Sequence, residues 1–135
     1  MEDLSAHTPR VLVVENNPEV LELVAAMVSS LDFDAKAAAS VDEARKRLVE
    51  GSFDAIITDL VLGDGDGLEL IRELRARGDN VPALMISSYA SPELRSTAQS
   101  AGAADLLAKP FRMERLSQAL RKLLDRHCMM DPAAE

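Results

Sequence analysis

Glu15, Asp59, Ser87 and Lys109 are far apart in the chain, yet each stands at the end of a short apolar run. Val11-Leu12-Val13-Val14 leads to Glu15-Asn16, and Ala55-Ile56-Ile57-Thr58 leads to Asp59. Ala83-Leu84-Met85-Ile86 leads to Ser87-Ser88, and Ala104 to Ala108 leads to Lys109. Brought together, these groups have a definite chemistry. Carboxylates with neighbouring oxygen donors suit a hard divalent cation such as Mg²⁺, which takes few protein oxygens and keeps waters. A lysine beside a carboxylate holds a phosphoryl oxygen as a point charge, and a hydroxyl donates to another. The set describes a carboxylate nucleophile that accepts a phosphoryl group while metal and ammonium neutralise the charge.

The apolar runs must position these groups. The run before Asp59 is rich in β-branched residues and lacks alternating polarity, which marks a strand buried on both faces of a parallel sheet. An ionised carboxylate inside such a strand is costly, so Asp59 belongs at its carboxyl end. In open α/β sheets ligands bind at that edge, over the switch point of the strand order.

Helices fill the intervals. Asn17 suits a helix cap and Pro18 its first turn, and Val20, Leu21, Val24, Met27, Val28 and Leu31 recur at helical spacing. Phe33 to Ala38 reads as a weak strand near the sheet edge. Ser40-Val41-Asp42-Glu43 is a capping box, with Glu43 reaching back to the first turn of a helix that Gly51 ends. Val61 to Gly67 is a loop whose three glycines (Gly63, Gly65, Gly67) allow close approach to a ligand. Asp64 and Asp66 read as loop acids, with Asp66 a candidate cap for a helix from Leu68 to near Gly78. Ser91-Pro92-Glu93 opens a fourth helix that Gly102 ends. Leu116, Leu120, Leu123 and Leu124 build the last helix, and a tail follows from His127. Strand and helix thus alternate five times. That rhythm predicts an α/β fold, a single doubly wound, five-stranded parallel sheet with helices on both faces. The expected organisation is a flexible amino terminus over 1–9, one domain over 10–126 and a carboxyl-terminal tail over 127–135.

Composition narrows the function classes. A chain of 135 residues suits one domain with a full core. The net charge of -8 argues against a surface built for nucleic acid, and the single Tyr89 without any Trp argues against base stacking. No apolar run approaches the roughly 20 residues that span a bilayer, and Met1 to Pro9 has no signal-peptide core. The expectation is a soluble cytoplasmic protein without a membrane partner. Cys128 is alone, which fits a reducing compartment. His7 and His127 belong to no motif.

Several short pieces now line up: Val11 to Glu15 with Pro18, Asp59-Leu60 with the loop ending Asp66-Gly67, Ser87, Ala101-Gly102-Ala103, and Lys109-Pro110-Phe111. Each alone is weak, but in this order and at these spacings they are strongly specific. With them the sequence resembles the receiver domain of two-component response regulators, over about Arg10 to Arg126. The resemblance implies a flavodoxin-like (βα)5 fold with strand order 2-1-3-4-5. It implies that Asp59 is the phosphoacceptor and that a histidine kinase or histidine phosphotransfer protein is the donor. Glu15, Asn16, Asp59 and the Val61 backbone carbonyl are implied Mg²⁺ ligands. Ser87 is the implied switch hydroxyl, with Ser88 beside it, and Lys109 the phosphate-contacting lysine. The Lys109–Pro110 peptide is expected to be cis. The implied activity is signalling rather than enzymatic, limited to self-phosphorylation and autodephosphorylation at Asp59.

This chain departs from the family pattern at three points. Asn16 stands where most members have an acid, so Mg²⁺ affinity is expected to fall with the lost charge. Gly63 stands where proline is frequent, so the loop is expected to be more mobile. Leu106 occupies the place of a switching aromatic residue, and Tyr89 is the nearest substitute in sequence. The leading reading is a stand-alone receiver in phosphorelay signalling, whose phosphorylation repacks the face made by the fourth helix, fifth strand and fifth helix toward a protein partner. The alternative is a phosphorylation-independent binding module, because Asn16 removes like charge near Asp59. A phosphatase for external substrates would need an acid two residues after its nucleophile, where Val61 stands. Blander readings of the same residues are a loop cap for Asp59, a solvated acid for Glu15, a helix cap for Asn16 and a local backbone bond for Ser87.

Overall fold

A computed structural model describes residues 8–129, with side chains described as far as Asp125. Five strands, β1 (Arg10–Val14), β2 (Asp34–Ala38), β3 (Ala55–Asp59), β4 (Ala83–Ser87) and β5 (Asp105–Ala108), alternate with five helices. The helices are α1 (Pro18–Ser30), α2 (Val41–Glu50), α3 (Gly67–Ala76), α4 (Pro92–Ala101) and α5 (Met113–Met129). The sheet order is β2-β1-β3-β4-β5 and every pairing is parallel. This is the flavodoxin-like arrangement expected from the sequence. The weak second strand lies at the edge.

Successive residues of a strand point to opposite faces of the sheet, and here both faces are covered. Leu12, Val14, Ile56, Met85 and Leu106 pack with α2, α3 and α4 through residues such as Ala44, Leu70, Leu74 and Ala98. Val11, Val13, Ile57, Ile86 and Leu107 pack with α1 and α5 through Val24, Val28, Leu116 and Leu120. The apolar runs lack alternation because neither face meets water. Register then levels the carboxyl ends. Val14 pairs with Thr58, Asp59 with Ile86, and Ser87 with Ala108. Glu15, Asp59, Ser87 and Lys109 therefore emerge along one edge.

The boundaries differ from the sequence reading in a few places. The Pro9 carbonyl accepts the Asp34 N–H at 2.8 Å, so Pro9 is joined to the sheet rather than to a loose terminus. Residues 1–7, including His7, lie outside the described residues. In the α2 capping box, Ser40 Oγ accepts the Glu43 N–H, but Glu43 Oε1 accepts from the Ala39 N–H, one residue ahead of the cap. Helix α3 begins one residue early, at Gly67. Helix α5 runs to Met129, past the tail boundary at Arg126, because no Gly or Pro interrupts it before Pro132. The side chains of His127 and Cys128, and residues 130–135, lie outside the described residues. Among the described residues no helix is long and apolar enough to cross a membrane.

Candidate functional site

Asp59 closes β3 and is 7 % exposed. Its Oδ1 accepts the Leu60 N–H at 2.7 Å, and its Oδ2 accepts from Lys109 Nζ at 3.0 Å. Glu15, one residue past β1, is buried; its Oε1 accepts from the same ammonium at 2.8 Å and its Oε2 accepts the Asn17 N–H at 3.0 Å. One cation thus bridges two carboxylates from different strand ends. Burial works to lower the Lys109 pKa, but hydrogen bonds from its ammonium to Glu15 and Asp59 outweigh it and raise the pKa above the ordinary lysine value. Two carboxylates and one ammonium leave a net charge of about -1, which favours a further cation.

The remaining sequence-predicted residues surround this centre unevenly. Ser87 is buried; its Oγ accepts the Tyr89 N–H at 2.9 Å and its carbonyl accepts the Lys109 N–H at 2.8 Å. It therefore joins the end of β4 to the end of β5. Ser88 is exposed and lines a cavity of about 430 Å³ with Lys109, Phe111, Val24 and Met27. The Lys109–Pro110 peptide is cis. Asn16 is exposed and does not cap α1. Asn17 does so alone, its side chain accepting the N–H groups of Glu19 and Val20. Leu106 is buried in the core and Tyr89 is 75 % exposed, so Tyr89 does not take up the core position that Leu106 fills.

The loop after β3 carries Val61. Val61 faces Asp66 in a single bridge, made by Leu62 N–H to the Gly65 carbonyl (3.1 Å) and Gly67 N–H to the Leu60 carbonyl (2.8 Å). Both bonds use neighbouring groups, so the Val61 carbonyl stays outside the bridge. Asp66 caps α3 by accepting the Glu69 N–H. A Cβ on Gly67 would stand 2.3 Å from the Asp59 carbonyl oxygen and 3.0 Å from Thr58 Oγ1. Only glycine lets α3 start this close to the strand that ends in Asp59.

Two features escape a reading of the sequence. Gly67, expected to allow close approach to a ligand, instead meets the Asp59 carbonyl at the start of α3. Asp64, expected to be a plain loop acid, accepts the N–H groups of Val41 (2.9 Å) and Asp42 (3.1 Å) at the start of α2. Together with the turn bonds around Gly63, these bonds anchor the loop to the start of α2.

For Mg²⁺, the test is the donor set. The carboxylates of Glu15 and Asp59, the Asn16 amide oxygen and the Val61 carbonyl offer only oxygen, as a hard cation requires. Among the described residues no three Asp, Glu, His or Cys side chains gather with metal spacing. The chemistry fits a hydrated Mg²⁺, with one charge fewer than a site of three acids.

The model of the response regulator receiver domain matches residues 11–121. Response regulator protein PilR of Pseudomonas aeruginosa is 33 % identical over 126 residues, covering 93 % of this chain and 28 % of that protein. Response regulator MprA of Mycolicibacterium vanbaalenii is 34 % identical over 126 residues, covering 93 % of this chain and 54 % of that protein. The chain thus spans about half, or less, of the length of these curated relatives. Among solved structures, the Francisella response regulator 1452 receiver domain superposes with a TM-score of 0.84 at 25 % identity, covering 89 % of this chain and 99 % of that one. Chemotaxis response regulator CheY4 of Vibrio cholerae gives 0.82 at 27 % identity, covering 87 % and 100 %.

Proposed function

The chain belongs to the response regulator receiver domain family, and on that premise we propose that it accepts a phosphoryl group on Asp59 in two-component signalling. The observation that carries this reading is the single Lys109 ammonium, 3.0 Å from Asp59 Oδ2 and 2.8 Å from Glu15 Oε1. The donor is a phosphohistidine on a histidine kinase or phosphotransfer protein. A P–N bond breaks and a P–O bond forms to an Asp59 carboxylate oxygen.

Lys109 steadies the Asp59 carboxylate before transfer and offers its positive charge to the phosphoryl oxygens after it. Ser87 keeps its own O–H to donate, because its Oγ accepts from Tyr89. The oxygens of Glu15, Asn16, Asp59 and Val61 would hold Mg²⁺, which supplies charge neutralisation across the transfer. Ser88 lines the approach beside Lys109.

The output follows from how Ser87 is wired. A Ser87 hydroxyl drawn toward a phosphoryl oxygen loosens its bond to Tyr89, while its carbonyl holds the Lys109 N–H. The loop that leads to α4 and the residue that follows β5 thereby meet at Ser87. Arg95 on α4 pairs with Asp105 on β5, tying the same two elements on the surface. The α4–β5–α5 face is the proposed site of a protein partner, repacked on phosphorylation.

The test is incubation with a small phosphodonor and Mg²⁺, read by intact mass. One phosphoryl group is expected on the wild type and none on Asp59→Ala. Equal labelling of the two proteins would refute the assignment of Asp59.

A further inference from the structure

The loop between β3 and α3 contains a backbone turn held both by its own bonds and by a contact from outside it. Gly63 has φ +75°, and the Asp64 N–H donates to the Leu62 carbonyl at 2.7 Å. That is a three-residue turn with a left-handed centre, a conformation glycine takes without a Cβ clash. Glycine has many other conformations open to it, so the surroundings must select this one. With glycines at 63, 65 and 67, the loop has many alternative conformations open to it.

What over-determines the turn is Asp64. Each of its oxygens takes one backbone N–H from the first turn of α2, where helix amides have no partner within the helix. The carboxylate also meets the positive end of that helix. Gly65 presses on the same spot, since a Cβ there would lie 3.2 Å from Val41 Cγ2. On the other side, a Cβ on Gly63 would lie 3.4 Å from Asn16 Nδ2. The loop lies between the Asn16 side chain and the start of α2.

We propose that the Asp64 clamp on α2 sets the place of the Val61 carbonyl and the Asn16 amide around Asp59, making Asp64 a positioning residue for the phosphoacceptor site. The proposal rests on the reading of that site given above. Its logic is a population argument. If the bound conformation of the loop is only partly populated, apparent Mg²⁺ affinity falls by that fraction, while chemistry at saturating Mg²⁺ does not. The clamp offsets the entropy of three glycines.

The test compares wild type with Asp64→Ala and Asp64→Asn, the latter keeping volume but turning one acceptor into a donor that faces an N–H. Val28→Ala, on the opposite face of the sheet, serves as a control for general destabilisation. Amide hydrogen exchange is measured without metal, and Mg²⁺ affinity by calorimetry. Loop amides 62–67 are expected to exchange roughly fivefold faster in both Asp64 variants, the effect of losing a helix-capping acceptor. The Mg²⁺ Kd is expected to rise by about the same factor, with the phosphorylation rate at saturating Mg²⁺ within roughly twofold of wild type. Val28→Ala is expected to leave loop exchange and Kd unchanged; a matching rise there would trace the effect to global stability and overturn the proposal. If wild type binds Mg²⁺ and both Asp64 variants bind it as tightly, the positioning role falls and the site reading stands. If wild type takes up no Mg²⁺, the site reading itself falls.

Discussion

Lys109 Nζ lies 3.0 Å from Asp59 Oδ2 across fifty residues of sequence, and the same nitrogen lies 2.8 Å from Glu15 Oε1. Among the described residues, the ammonium is the only counter-charge that the side-chain hydrogen bonds give these two buried carboxylates. Removing one partner of a buried ion pair leaves the other uncompensated, which costs about 3–5 kcal/mol when both are fully buried. Lys109 is 18 % exposed, so Lys109→Met is expected to destabilise by about 2–3 kcal/mol. Asp59→Asn alone is expected to be neutral or slightly stabilising, since Lys109 keeps Glu15. In the double variant one carboxylate remains instead of two, so the loss should be smaller than for Lys109→Met. Urea midpoints at constant slope measure the cycle, and strictly additive effects would show that the two residues are not coupled.

Gly67 and Gly78 separate two reasons for glycine. At Gly67 an added methyl meets the Asp59 carbonyl at 2.3 Å, a backbone atom that cannot swing away. At Gly78 φ is +85° but nothing lies within 4 Å. Gly78→Ala should therefore cost only the left-handed strain, about 1–2 kcal/mol. Gly67→Ala should cost about 3 kcal/mol, the upper range for overpacking. It should also slow phosphorylation, because the clash acts on the residue that carries the nucleophile. Equal stability losses would remove the distinction, and a normal labelling rate would detach Gly67 from the site.

Much of this architecture is legible in the residues, for physical reasons that also mark where legibility ends. Asp59 and Lys109 could be placed because an apolar run without alternation forces a buried strand, and a charge must then sit at its end. Parallel pairing with level ends does the rest. Asn17 and Asp66 announce themselves as caps through their own side chains. Asp64 does not, because its partners are backbone N–H groups 23 and 22 residues away, and every residue but proline has one. Gly67 is hidden for a similar reason, since its constraint is a carbonyl oxygen on another element. Glu43 is legible as a residue that reaches back from the first turn of α2, but the N–H it meets, that of Ala39, is set by the path of the entering chain.

The Asp64 carboxyl also predicts a dependence on pH. Hydrogen bonds from the N–H groups of Val41 and then Asp42 hold its pKa below the ordinary aspartate value. A pKa depressed on folding adds stability that is present above the unfolded value, about 3.9, and is lost as pH falls through the folded value. The difference in melting temperature between wild type and Asp64→Asn should thus be constant from neutral pH down to about 5, then shrink below about 3.9. A difference that persists unchanged to the lowest pH at which the protein folds would show that the carboxylate charge is not what α2 recognises.

Asn16 is where restoring a charge should matter most. The centre holds two carboxylates and one ammonium, and Asn16 stands exposed beside the loop that carries Val61. Asn16→Asp adds a second net negative charge without burying it, so desolvation offsets little of the gain. Affinity for Mg²⁺ follows ligand charge, and an increase of about tenfold corresponds to 1.4 kcal/mol, a modest demand for one added carboxylate near a divalent ion. The same substitution sets a third carboxylate near Glu15 and Asp59, so without metal it should lower stability by about 1 kcal/mol through like-charge repulsion. The signature is therefore a crossing: Asn16→Asp less stable than wild type in chelator and more stable in millimolar Mg²⁺, because metal binding to the folded state adds in proportion to its affinity. Thermal unfolding with and without Mg²⁺ reads it directly. A variant that gains no more from Mg²⁺ than wild type does would show that position 16 lies outside the reach of the metal.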